Sequence, residues 1–240
     1  MIRFDQVEFS FTDVPVLSDA AFTIDEGDFV GIIGPNGGGK STLLKLVLGF
    51  LTPQRGTIEV FGQAPQKARR RIAYVPQHLK VDQKFPISAF ELVMMGRLSR
   101  LPWYGRFHQK DKEIALEAME QLNVAHLKNR MFGTLSSGQA QRMLMARALA
   151  SKPEILLLDE PTASVDAESE EKIYQIIRGL KGKITTLMVT HDIRTVIEDV
   201  QKVLTVEGIV TLYQPEELCE HFAYGVYHPP LMNHKCENHD

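Results

Sequence analysis

The chain of 240 residues holds only two cysteines, Cys219 and Cys236, and a single tryptophan, Trp103. The cysteines form no close-spaced metal or redox motif, and their scarcity fits a reducing cytosol. No apolar run approaches the roughly 20 residues needed to cross a bilayer, so any membrane role has to come through a partner. The opening MIRFDQVEFSF lacks a basic segment followed by an apolar one, and no secretory leader is expected. Charge of one sign is missing as well: 27 Lys and Arg face 30 Asp and Glu, for a formal net charge of −3. A broad basic field for nucleic acid is therefore excluded. There is neither an internal repeat nor a low-complexity tract. What remains is an ordinary soluble composition, 44% hydrophobic and 24% charged, long enough to bury one core, or one core with an attached lobe.

Periodicity places the elements. IRFDQVEFSF alternates Ile2, Phe4, Val7, Phe9 and Phe11 with a period near two and reads as a half-buried strand. Strands are also predicted at residues 16–24, in GDFVGIIG, in GTIEVFG, and in RRIAYVPQ, which Pro76 stops. KSTLLKLVLG is predicted helical, with Leu43, Leu44, Val47 and Leu48 on one side and Gly49 at its end. From about Ile87 to Ala150 the pattern is helical. After Pro153, EILLLDE and KITTLMVTH read as strands separated by the helical AESEEKIYQIIRGL. The continuous apolar run Ile155 to Leu158 suits a parallel strand buried on both faces. Alternating strands and helices argue for an α/β core with a helical insertion and one nucleotide site per chain.

The chemistry begins with GPNGGGKST, which is Gly34, Pro35, Asn36, Gly37, Gly38, Gly39, Lys40, Ser41 and Thr42. It matches the phosphate-loop spacing between a predicted strand and a predicted helix, the context the motif requires. Backbone N–H groups can curl around phosphate oxygens, Lys40 can reach the terminal phosphates, and the Ser41 hydroxyl can ligate Mg²⁺. ILLLDEP puts Asp159 and Glu160 at the carboxyl end of a strand, where ligands of open α/β sheets bind. Asp159 can hold the Mg²⁺ shell and Glu160 can take a proton from water. The competing reading is a helix-capping pair before Pro161. LSSGQAQRMLMARALA, Leu135 to Ala150, supplies a second anion-ready helix start far from the first.

These motifs, in this order, resemble the nucleotide-binding subunit of an ABC transporter over nearly the whole chain. YVPQ resembles the Q-loop, LSSGQ the signature, ASVD the D-loop and VTHD the switch-histidine segment. The resemblance implies an α/β P-loop NTPase core of RecA-like type, with an antiparallel β-subdomain and an inserted helical subdomain. Residues 1–86 and 151–215 would form the ATP-binding core, 87–150 the signature subdomain and 216–240 a tail. It places Gln77 near Mg²⁺ and the subunit contact, Asp166 in the D-loop, and His191 beside the γ-phosphate. Phe11 takes the position of an aromatic that stacks on adenine, with core packing as the alternative. Two copies would pair head to tail, so that Ser136, Ser137, Gly138 and Gln139 meet the ATP of the partner. The commonest signature is LSGGQ; Ser137 departs from it, which points to retained function with altered ATP affinity.

The resemblance implies ATP and Mg²⁺ as cofactors. The partners would be a second copy, an integral membrane permease and, indirectly, an extracytoplasmic solute-binding protein. The chain would sit at the cytoplasmic face of the inner membrane. ELVMMGRLSRLPWYGRF (Glu91 to Phe107) and EELCEHFAYGVYH resemble ATPases of zinc- and manganese-type importers, and iron is a further candidate cargo. The first stretch is also similar to siderophore, haem and cobalamin importers. A soluble ABC ATPase of translation or repair fits less well, having two cassettes or a coiled-coil insertion. Trp103 and Tyr104 suit either a protein contact or the lobe's own core. The tail's Cys219, His221, His228, His234, Cys236 and His239 match no defined zinc spacing, and a mobile polar tail is expected. KARRR, Lys67 to Arg71, reads as solvated surface.

Overall fold

The computed structural model describes residues 1–77, 85–103, 105–163, 165–191 and 198–217. Tyr104, Ser164 and the tail ligands therefore lie outside the described residues. Among the described residues, nine strands form one sheet: β1 (Ile2–Ser10), β2 (Pro15–Ile24), β3 (Phe29–Ile33), β4 (Arg55–Val60), β5 (Ile72–Val75), β6 (Ile155–Asp159), β7 (Thr185–Val189), β8 (Lys202–Glu207) and β9 (Ile209–Tyr213). Their order is β4-β1-β2-β9-β8-β3-β7-β6-β5. β8, β3, β7, β6 and β5 run parallel, whereas β1 pairs antiparallel with both β2 and β4. The antiparallel part joins the parallel part through Ser18 opposite Ile209.

Each face of the sheet carries its own core. On one side α1 (Lys40–Val47) packs Leu43, Leu44, Leu46 and Val47 against Ile32, Ile155, Leu157 and the inner face of β1 and β2. On the other, α3 (Ala89–Met94), α4 (Gln109–Gln121), α5 (Ser137–Ala150) and α6 (Ala167–Arg178) gather around Leu156, Leu158, Met143 and Ile173. The fully buried runs Phe29–Ile33, Ile155–Asp159 and Thr185–Val189 follow from burial on both faces. A short helix, α2 (Pro65–Ala68), precedes β5.

The strand and helix expectations hold where the periodicity was strong. The β8–β9 hairpin, closed at Gly208 with a positive φ of 71°, was not anticipated. Its strands are short, and their pairings with β3 and β2 are non-local. KARRR is less idle than a solvated run. Arg69 donates to the carbonyls of Leu48 and Gly49 at the end of α1. Arg71 forks onto Glu154 and lies 3.4 Å from the Phe61 ring centre. Among the described residues, no helix is long and apolar enough to cross a membrane.

Candidate functional site

Parallel pairing brings the carboxyl ends of β3, β5, β6 and β7 to one edge of the sheet. There Gly34 to Gly39 turn β3 into α1, with Asn36 and Gly37 exposed at the tip. Gly34 and Gly38 cannot carry a side chain, because a Cβ at either would collide with the Val206 carbonyl of β8. The Gly208 N–H donates to the Gly38 carbonyl at 3.3 Å. The hairpin thus braces the loop from behind and leaves its tip facing outward. Lys40 is buried, and its ammonium donates to the carbonyls of Gly34 and Pro35 at 2.8 and 2.9 Å. Burial holds the Lys40 pKa below its ordinary value, while Glu160 and Asp159 pull it back upward. Thr42 is buried in the same turn and Ser41 is exposed.

β6 delivers the two acids in different ways. Asp159 is buried, with Oδ1 at 3.4 Å from the Ser41 hydroxyl and Oδ2 accepting from the Tyr74 hydroxyl at 3.0 Å. The carboxylate and serine oxygens fit the hard-oxygen donor set that Mg²⁺ takes beside phosphate. Burial, followed by the charge and hydrogen bond of Asp159, raises the Tyr74 pKa, so the phenol remains a donor. Glu160 has left the strand with a φ of +48°, uncommon for a residue with a side chain. Its N–H donates to the Val189 carbonyl at 3.0 Å. Two neighbours hold the carboxylate: the Gln77 amide donates to Oε2 at 2.5 Å, and His191 Nε2 lies 2.9 Å from Oε1. Glu160, Thr162, Thr190 and His191 line a cavity of about 190 Å³. A larger cleft of about 740 Å³ lies between α4, the end of α5 and α6, and none of these groups reaches it.

Phe11 is 63% exposed and meets the Phe9 ring edge-on at 4.9 Å between centres. Core packing, the alternative reading for Phe11, is overturned. Ser136 caps α5 in a reciprocal box: its hydroxyl accepts from the Gln139 N–H at 3.3 Å, and the Gln139 side chain accepts from the Ser136 N–H at 3.1 Å. Ser136 and Ser137 are exposed, but Gly138 is buried. A Cβ on Gly138 would strike the Ser169 side chain of α6. Asp166 caps α6, accepting from the Ser169 N–H at 3.0 Å. That backbone contact and a further bond to the Ser169 side chain hold its carboxyl below the usual range.

A phosphate loop, two acids at the end of a buried strand, and a histidine and a glutamine converging on the second acid form one constellation. The family model described as ABC transporter matches residues 17–163. The chain belongs to the ABC transporter family. A protein of Chlamydia pneumoniae named as the ATP-binding protein of a metal transport system is 43% identical over 88% of each chain. The zinc transport system ATP-binding protein of Treponema pallidum is 40% identical over 93% of this chain and 86% of its own. The manganese transport system ATP-binding protein of Bacillus subtilis is 40% identical over 81% and 78%. Among solved structures, an inward-facing ABC transporter described as of metal-chelate type aligns over 93% of this chain and 86% of its own. Its TM-score is 0.83 and its identity 29%. A dimeric ATP-binding cassette bound to ADP and Pi gives a TM-score of 0.77 at 28% identity, over 91% and 100%.

Against this ABC transporter frame, two contributors went unnoticed in the sequence. Tyr74 carries no signal of its own in the sequence; its closeness to Asp159 follows only from the β5–β6 register. The second is the buried pair Arg97–Asp111, at 2.9 Å, in the helical lobe. Arg97 also donates to the Ala150 carbonyl at 2.9 Å, and a Cβ on the preceding Gly96 would collide with the Arg147 carbonyl. The GR pair inside ELVMMGRLSR thereby ties the segment after α3 to the end of α5. Trp103 is 97% exposed, so it does not build the lobe's own core.

Proposed function

We propose that the chain hydrolyses ATP to drive import of a divalent metal ion, zinc, manganese or iron, through a separate membrane permease. The core (1–86 and 151–215), the helical lobe (87–150) and the tail (216–240) divide this work. The observation that carries the cargo class is the 40% identity to zinc and manganese transport ATP-binding proteins over more than four fifths of the chain. A chelate cargo has weaker support, from a structure at 29% identity.

ATP lies with its phosphates on the loop Gly34–Gly39, its base on Phe11 and its terminal phosphates at Lys40, Ser41 and Thr42. Asp159 and Ser41, with Gln77 nearby, would hold Mg²⁺, which would supply positive charge to the terminal phosphates. Glu160 accepts a proton from attacking water. His191, with Nε2 at 2.9 Å from Glu160 Oε1, orients that carboxylate and turns its N–H to the γ-phosphate when ATP is bound. Ser136, Ser137 and the N-terminus of α5 complete the site of a second copy, and Asp166 lies at the same junction. A lone chain therefore turns over slowly. The exposed Met95, Leu98, Trp103 and Met131 of the lobe offer the permease an apolar contact. Through that contact the chain sits at the cytoplasmic face of the inner membrane, and an extracytoplasmic binding protein delivers the metal.

Purification from membranes with the attached permease tests this reading. ATPase activity should rise with zinc- or manganese-loaded binding protein. Stimulation by siderophore-loaded protein alone would overturn the cargo.

A further inference from the structure

We propose that Tyr74 is a positioning residue for Asp159, fixing the orientation in which the carboxylate presents an oxygen to the divalent cation. The inference rests on the reading above that Asp159 and Ser41 hold Mg²⁺. In the β5–β6 ladder Tyr74 stands opposite Leu157, two residues before Asp159. Side chains two apart share a face, so Tyr74, Leu157 and Asp159 all lie on the α1 side of the sheet. Tyr74 indeed packs against the same cluster as Leu157. A diagonal of two residues is beyond a serine or threonine, and a phenol spans it. Its hydroxyl donates to Oδ2 at 3.0 Å, while Oδ1 lies 3.4 Å from the Ser41 hydroxyl.

The two carboxylate oxygens therefore have different partners. Turning the carboxylate out of its present plane would break the phenol bond inside a buried site, where an unpaired oxygen is costly. The tyrosine ring is half-buried on β5, the edge strand of the sheet. Partners of this kind around a metal ligand change affinity for the metal by roughly 10- to 100-fold when removed.

The test uses the full chain with ATP and Mn²⁺ as the spectroscopic probe. Tyr74→Phe keeps the ring and removes only the hydroxyl. Mn²⁺ titration of the ATP complex, followed by electron paramagnetic resonance, should show affinity weakened about 10-fold or more. ATP binding measured in chelator should be unchanged. Mn²⁺ affinity within about twofold of the parent would overturn the proposal, whatever the melting temperature. So would an equal loss of ATP affinity with and without metal, which marks general damage to the site. Asp159→Asn is measured alongside. If that variant binds Mn²⁺ like the parent, the metal reading of Asp159 fails; if it alone is impaired, only the role of Tyr74 fails.

Discussion

Glu160 and Phe11 show how much a single residue can carry here. Glu160 sits at φ +48°, a conformation that costs on the order of 1–3 kcal/mol for a residue with a side chain. The adjacent β7 carbonyl, Gln77 and His191 offset that cost, so the carboxylate is held at the mouth of the sheet and not along the strand. Phe11 is the opposite case, a large apolar ring left in water. Phe11→Ala should weaken ATP binding by about 1–3 kcal/mol, the worth of base–aromatic stacking. Melting temperature should barely move, since exposed substitutions usually stay within about 0.5 kcal/mol. Nucleotide titration beside a thermal melt separates the two. A large fall in melting temperature with unchanged affinity would return Phe11 to a packing role. The glycine loop Gly34–Gly39, the two acids and His191 stand out in the sequence because each lies in a contiguous motif at an element end. Tyr74 does not, because its partner lies 85 positions away and only strand register joins them.

At the level of elements, the signature glycine has a structural reason close at hand. Gly138 lets α5 approach α6 where the Asp166 cap begins, and the obstacle to any side chain is Ser169. Gly138→Ala should therefore lower stability by about 1–3 kcal/mol, the usual cost of overpacking. Adding Ser169→Gly should recover much of that loss. A double variant no better than Gly138→Ala would show that the glycine is needed for some other contact. The LSSGQ motif points this glycine toward phosphate and does not reveal what packs beneath it. Ser137, by contrast, is exposed in ordinary helical backbone, and replacing glycine there strains nothing.

The Arg97–Asp111 pair binds the lobe's elements together, with the two side chains 9% and 8% exposed. Burial pushes the Asp111 carboxyl upward, but the Arg97 hydrogen bond, the His108 N–H and the Arg97 charge bring it below its usual 3.8. Because the folded value is depressed, the pair's stabilisation is present at neutral pH and fades as pH falls below about 4. Arg97→Met should cost about 3–5 kcal/mol at neutral pH by leaving a buried charge unpaired. The gap to the parent should narrow under acid, because protonation then relieves the variant. Melting temperatures across pH check the sign; a gap that widens toward acid would contradict the pairing.

For the molecule as a whole, the sheet places two anion-ready helix starts on different elements. One is backed by β8–β9 and bordered by the acids; the other is capped by its own Ser136–Gln139 box and faces outward. The parallel core was readable from its apolar runs, and the helical lobe from its periodicity. The bracing hairpin was not, since its short strands acquire meaning only beside β3. If two copies pair through these starts, Glu160 is the group whose loss should trap the pair. Size measurement of Glu160→Gln with ATP and Mg²⁺, beside an assay for released phosphate, tests this pairing most directly. A stable dimer that retains ATP and releases no phosphate is expected. A variant that stays monomeric with ATP bound, or that releases phosphate at the parent's rate, would contradict it.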